Sequence, residues 1–203
     1  LLNSWRLYEA DTAFNRAIAL DSTFALAYHK KSLGLGWGDQ SQRENPAEKA
    51  YALAGRLPPR ERSLVEGHYH LVRALTATNA QDTAATRAEF EASIKAYDDL
   101  LARGDTLVPE AWHGRADSYH HRRTNSTPIP LLKAWTTESY RGFSKTLAID
   151  STFHLAYAHL VELFNSAAQG SGILISGDSA LVLDDATATR LGDAGIKRLR
   201  DEA

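Results

Sequence analysis

The sequence predicts an all-α chain of antiparallel helix hairpins, and three observations predict it. The stretch LDSTFALAY (20–28) returns almost unchanged as IDSTFHLAY (149–157). A looser copy, GDTLVPEAW (104–112), has Asp105, Thr106, Ala111 and Trp112 where Asp21, Ser22, Ala27 and Tyr28 stand in the first. Between the copies, apolar residues recur at three- and four-residue spacing, the period of a helix with one buried face. Each copy therefore marks a helix end, a tight turn and the start of the next helix, the joint of a helical hairpin. Over the longer windows FNRAIALDSTFALAY (14–28) and FSKTLAIDSTFHLAY (143–157) nine of fifteen residues are shared. The chain is an array of repeats.

The first helix is expected over 3–20, with Trp5, Tyr8, Ala10, Phe14, Ala17 and Ile18 on its apolar stripe. Asp21 and Ser22 stop it, because short oxygen-bearing side chains favour turns and helix N-caps over helix interiors. A second helix follows over 23–36, burying Phe24, Ala27, Tyr28 and Leu35, and the glycines at 34, 36 and 38 weaken its last turn. Residues 38–46 are a polar loop, and Pro46 suits the start of a third helix ending at Leu57. The proline pair at 58 and 59 punctuates the chain before a fourth helix through Ala77. After a polar joint at 78–82, the fifth helix spans 83–103 with Phe90, Ile94, Tyr97, Leu100 and Leu101. Pro109 opens a sixth, to Arg122, and 123–130 is too rich in turn formers for a helix. The seventh covers 131–148, Asp150-Ser151 repeats the opening joint, and the eighth covers 152–168. Beyond a Gly-Ser-Gly break, 173–183 is apolar and β-branched around a Gly-Asp turn, a small hairpin or an extended strap, and a helical pattern resumes from 185.

Composition bounds the function. A chain of 203 residues, 43% hydrophobic and 24% charged, suits one helical repeat domain over 1–203. The net charge of -2 lacks the clustered basic surface of a general nucleic-acid binder, so no nucleic acid is expected as partner. No window approaches the roughly 18 consecutive apolar residues of a membrane span, and none is expected to insert. The absence of cysteine excludes a disulfide framework and cysteine-ligated zinc but does not locate the protein. The absence of methionine, position 1 included, reads as a segment of a longer chain.

Ala10-x3-Phe14, followed by a turn residue eight positions after each of Phe14 and Phe143, resembles the second helix of the tetratricopeptide repeat (TPR). Trp112, Ala116 and Tyr119 match that family's first helix, as do Tyr157, Leu160 and Phe164 with conservative replacements. Lys31 and Arg115 stand where the family has leucine, and Ser139 where it has alanine. The joints at Asp21, Asp105 and Asp150 lie 84 and 45 residues apart, longer than two units and one unit of about 34. The extra residues fall in 38–46, 78–86 and 123–130. The resemblance implies a right-handed superhelix of about four hairpins with a concave binding groove. Within it, LPPRERSLVEGHYHL (57–71) is similar to repeat regions that follow the catalytic domain of bacterial eukaryotic-like serine/threonine protein kinases, and to some bacterial signalling regulators. That likeness implies attachment to such a protein; a kinase's own glycine-rich loop, HRD and DFG residues are absent here.

All eight histidines fall on the first helices of hairpins, which in the family line the groove. The family register makes His29, Leu33, Trp37, His113, Asp117, His120, Glu162 and Asn165 groove residues. A mixed-charge surface with an aromatic suits an extended peptide, so a protein or peptide partner is expected. His113, Asp117 and His120 or His121 share a helix face at a spacing that metal ligands use, yet with no second ligand pair of comparable order they read as groove polar residues, without metal or other cofactor. No serine sits in a nucleophile elbow, and the repeated Asp-Ser-Thr reads as helix capping, so no catalytic residue is expected. The alternative function is a structural module that self-associates through its terminal helices into a homo-oligomer.

Overall fold

The computed structural model describes residues 2, 6–124, 127–168, 173–176 and 179–182. Among them the fold is all-α, with one short β-hairpin. Its helices are α1 (Leu7–Leu20), α2 (Ala25–Trp37), α3 (Glu44–Leu53), α4 (Pro59–Asn79), α5 (Thr83–Ala102), α6 (Pro109–His121), α7 (Ile129–Ile149) and α8 (His154–Ala168). Strands β1 (Ile173–Ser176) and β2 (Ser179–Val182) pair antiparallel, Ile173 opposite Val182 and Ser176 opposite Ser179. Of the two conformations open for 173–183, the hairpin is the one adopted. Trp5 and the helix expected from 185 lie outside the described residues.

Consecutive helices pack on one another, most extensively α4 on α5 and α6 on α7. The helix α4 also touches α2 and α6, so the even-numbered helices form an inner row backed by the odd-numbered ones. The main core joins Ala10, Ala116, Phe143, Phe153, Leu155, Ala156 and Leu163, and smaller clusters lie around Val65 and around Phe90.

Two of the three repeated joints, at Asp21 and Asp150, make the same hydrogen bonds. Asp21 Oδ1 accepts from the Thr23 amide and hydroxyl, both at 2.8 Å, and Asp150 Oδ1 accepts from the same groups of Thr152 at 2.9 and 2.6 Å. These are Asx turns. The expectation of helix capping is corrected, because the carboxylate is spent two residues on and Phe24, at the head of α2, caps with no side-chain bond. A side-chain cap does open α5, where Asp82 Oδ1 accepts from the Ala85 amide at 3.0 Å.

Two departures from the repeat pattern have ionic reasons. Arg115 donates from Nε to Asp98 and from Nη1 to Glu138, both at 2.6 Å, and so ties α6 to α5 and α7. Lys31 likewise pairs with Asp11 of α1 at 3.8 Å and donates to Asn15 beside it. Ser139 keeps the small volume of the alanine it replaces by donating to the Trp135 carbonyl in its own helix at 2.8 Å. In 57–71, Arg62 donates to the carbonyls of Gly55 and Leu57 at the turn, while Ser63, Val65, Gly67 and His68 point inward and are buried.

Glycine sets the spacing of the inner row. The ring of Tyr97, from α5, lies between Gly67 of α4 and Gly114 of α6, where an added Cβ would sit 2.5 and 2.3 Å from ring carbons. Gly142 approaches Ala116 as closely, 2.6 Å from a built Cβ to the alanine methyl. Gly36 has open space at that position. Helix propensity alone would make each Gly→Ala change stabilising by up to about 1 kcal/mol. Packing reverses the sign at two of them: Gly67→Ala and Gly114→Ala are expected to destabilise by about 1–3 kcal/mol in urea titrations, as overpacked cores do. Gly36→Ala is expected to be neutral or stabilising, and Tyr97→Leu in the Gly114→Ala background recovers part of the loss.

Candidate functional site

Each inner helix buries one histidine: His29 on α2, His68 on α4, His113 on α6 and His159 on α8. The His29 and His68 rings meet edge to face at 5.2 Å. Ser32 Oγ spends its proton on the Arg43 carbonyl at 2.8 Å, so His68 Nε2 must be the donor in its 2.9 Å contact with Ser32 Oγ. His68 is therefore the Nε2–H tautomer, and its Nδ1 has no partner. Burial pushes the His29 imidazole well below its ordinary value and that of His68 down to about 3, so both are neutral. Burial likewise lowers His113 to about 4.

The charge in this interior is Asp117. Burial alone would raise its carboxyl, but His121 and His159 beside it hold it well below the carboxylate range. Its Oδ1 lies 2.9 Å from His159 Nε2 and 3.2 Å from His121 Nε2. Burial alone would lower His159; Asp117 and then Glu162 raise it to about 9. Glu162 Oε2 sits 3.0 Å from both His159 Nδ1 and His120 Nε2, which together hold its carboxyl far below the usual range. Arg123 Nη2 donates to His120 Nδ1 at 2.8 Å, which leaves the His120 proton on Nε2, facing Glu162. Around the His159 ring stand Trp37 at 4.6 Å, His120 at 4.4 Å and Phe143 at 4.9 Å between centroids.

A cavity of about 190 Å³ opens beside this cluster, toward the C-terminal ends of α2, α4 and α6. Its apolar lining comes from Leu33, Trp37, Leu71 and Leu75. Its ionic lining comes from Arg43, Asp117, His121, His159 and Glu162.

Of the residues expected to line an open groove, Leu33, Trp37, Asp117 and Glu162 do reach this cavity. His29 and His113 do not fit that expectation and are corrected to interior residues, 3% and 4% exposed, because the inner helices approach too closely to leave their faces open. His120 is turned under Glu162, its side chain 10% exposed. The side chain of Asn165 lies outside the described residues. The face shared by His113, Asp117 and His121 is split, with Asp117 and His121 facing His159 and His113 packing on Phe153 at 4.9 Å. Sequence reasoning missed His159, His68 and Arg43 as site residues. The Asp117–His121 spacing was visible, but nothing in the sequence brings α8 against α6.

The chain matches no protein-family model, no curated protein and no solved structure. Among the described residues no helix is long and apolar enough to cross a membrane.

The buried histidines make stability depend on pH. His29 and His68 bind protons less readily folded than unfolded, so their contribution is full above the ordinary value of 6.5 and is lost as pH falls below it. Lys30, Arg43, Asp117 and His113 are the charged or titratable groups facing this pair. His159 has the opposite sign, with a contribution full below 6.5 and lost as pH rises through about 9. Urea unfolding is therefore expected to show lower stability at pH 5 than at pH 7, by on the order of 2 kcal/mol for each neutral buried histidine. His68→Gln, which keeps a donor toward Ser32, is expected to flatten that difference.

Proposed function

We propose that the chain is a TPR-like, non-catalytic protein-interaction module that takes an anchoring side chain of a partner peptide into the cavity between its inner helices. The single observation that supports this most is the mixed lining of that cavity. Apolar Leu33, Trp37, Leu71 and Leu75 line it together with ionic Arg43, Asp117, His121 and Glu162. About 190 Å³ suits one or two side chains rather than a peptide laid along a groove. Binding modules of this kind draw most of their affinity from a few anchors in well-packed pockets. The array of helix hairpins, two of whose joints are the same Asx turn, supports the TPR-like reading, and the likeness of 57–71 to kinase-associated repeats supports a place in a bacterial signalling protein.

The test is selection from a displayed random-peptide library on the immobilised chain, followed by titration of the selected peptides. Arg43→Ala and Leu75→Ala change one ionic and one apolar half-buried residue of the lining and are expected to weaken those peptides at least tenfold, about 1.4 kcal/mol, with helicity by circular dichroism unchanged. Peptides that bind both variants as well as the native chain would overturn the reading.

A second reading, self-association, is favoured by α8, where Tyr157, Val161 and Phe164 are 45%, 55% and 47% exposed at helical spacing. Sedimentation equilibrium distinguishes it. A mass that rises with concentration in the native chain and not in Val161→Glu would support assembly through this face.

A further inference from the structure

We propose that Asp117, His121 and His159 bind a divalent transition-metal ion of the zinc class, in a three-ligand site whose remaining coordination position faces the cavity. The inference does not depend on the peptide reading.

The donor atoms have the spacing of a coordination polyhedron. Asp117 Oδ1 is 2.9 Å from His159 Nε2 and 3.2 Å from His121 Nε2, and all three atoms lie within 4.8 Å of one another. Zinc bonds of about 2.0–2.1 Å in a tetrahedron place ligand atoms about 3.3 Å apart. Two imidazoles and a carboxylate are also the donor set of open zinc sites, in which a fourth position is left for water or a ligand. Here the cavity of about 190 Å³ is lined by all three ligands.

The buried atoms are short of partners in a way that hydrogen bonding does not repair. Asp117 Oδ1 and His159 Nε2 are both buried and 2.9 Å apart, yet neither has a hydrogen-bond partner of good geometry. The side chain of His159 is only 4% exposed. On its other edge, His159 Nδ1 lies 3.0 Å from Glu162 Oε2, an acceptor, and therefore carries the ring proton. In the neutral ring Nε2 is then a bare lone pair 2.9 Å from a carboxylate oxygen. Two lone pairs at that distance repel unless a proton or a metal ion stands between them. A carboxylate that fixes the tautomer of a ligating histidine is the usual outer support of a zinc site, and Glu162 occupies that place.

The neighbouring group of His120, His159 and Glu162 is different. Its contacts are satisfied by ring protons pointing at Glu162, as the Arg123 bond to His120 Nδ1 requires. That leaves Asp117 as the center of the metal site. An ion pair between Asp117 and a protonated His159 is the competing state, and the metal would displace its proton.

The experiment uses the untagged chain, dialysed against a chelator and then titrated with zinc at neutral pH, with the bound metal counted by mass spectrometry after gel filtration. One zinc per chain is expected, with visible ligand-field bands when cobalt replaces it and a raised thermal midpoint. His121→Gln changes a residue whose side chain is 38% exposed, so the fold should persist, and it is expected to weaken binding roughly tenfold or more. His159→Gln is expected to do the same, whereas His70→Gln, which alters the separate contact with Glu89, is expected to leave binding unchanged. No retained zinc would overturn the proposal, as would equal binding by folded His121→Gln or binding lost only in His70→Gln.

Discussion

One buried carboxylate shapes the inner face of this protein. Removing an ionised Asp117 from water costs several kcal/mol unless other charges and dipoles answer it, and its field reaches Arg43, His68, Tyr97, His113 and His159. These residues come from the segment after α2 and from α4, α5, α6 and α8. A single charge thus gives distant helices a common reason to stay in register. It also divides the histidines into two kinds: His29 and His68, kept neutral by burial, and His159, kept charged or coordinated by its neighbours.

That arrangement depends on helices coming close, and the residues that permit it are small. Gly67 and Gly114 admit the Tyr97 ring between α4 and α6, and Gly142 admits Ala116. The hydroxyls in the same layer satisfy themselves locally, Ser118 on the Gly114 carbonyl at 2.8 Å and Thr146 on that of Gly142 at 2.9 Å. Ser93 reaches across from α5 to the Gly67 carbonyl at 2.7 Å. Such residues cost little volume and leave few unpaired dipoles, so polar side chains sit at helix contacts where leucine would hold the helices apart. Close approach is also what turns a broad groove into a small cavity. The inner faces meet, and Trp37 of α2 reaches His159 of α8 beside the cavity.

The all-α fold was legible in the sequence because its evidence is local. Helix periodicity, the proline at the head of α6 and the repeated joints each depend on residues a few positions apart, and all eight helices lie where the pattern puts them. Boundaries moved by a turn or less: α3 begins at Glu44 with Pro46 inside its first turn, and α7 begins at Ile129 within the segment read as loop. A proline tolerates the first turn as well as the position before it, so sequence alone does not choose. The site was legible only in part. Asp117 and His121 share a face at a spacing that any helix makes obvious, whereas His159 joins them through the stacking of α8 near α6. Burial of His29 and His113 was hidden for a related reason, since the depth of an inner face is set by Gly67, Gly114 and Tyr97 acting together.

The Asx joints have a consequence for how such a chain grows. Asp21 and Asp150 complete their side-chain turns within three residues, and the amide of each donates to the preceding helix in the same way, to the Ala17 and Thr146 carbonyls. The following phenylalanine is then free to meet different surroundings: Phe24 is 44% exposed, whereas Phe153 is 3% exposed against His113. A connector indifferent to its surroundings can be copied as a unit, so duplication of a whole hairpin costs no redesign at the seam. Divergence can then concentrate on the faces between seams, where the histidines and Asp117 have accumulated.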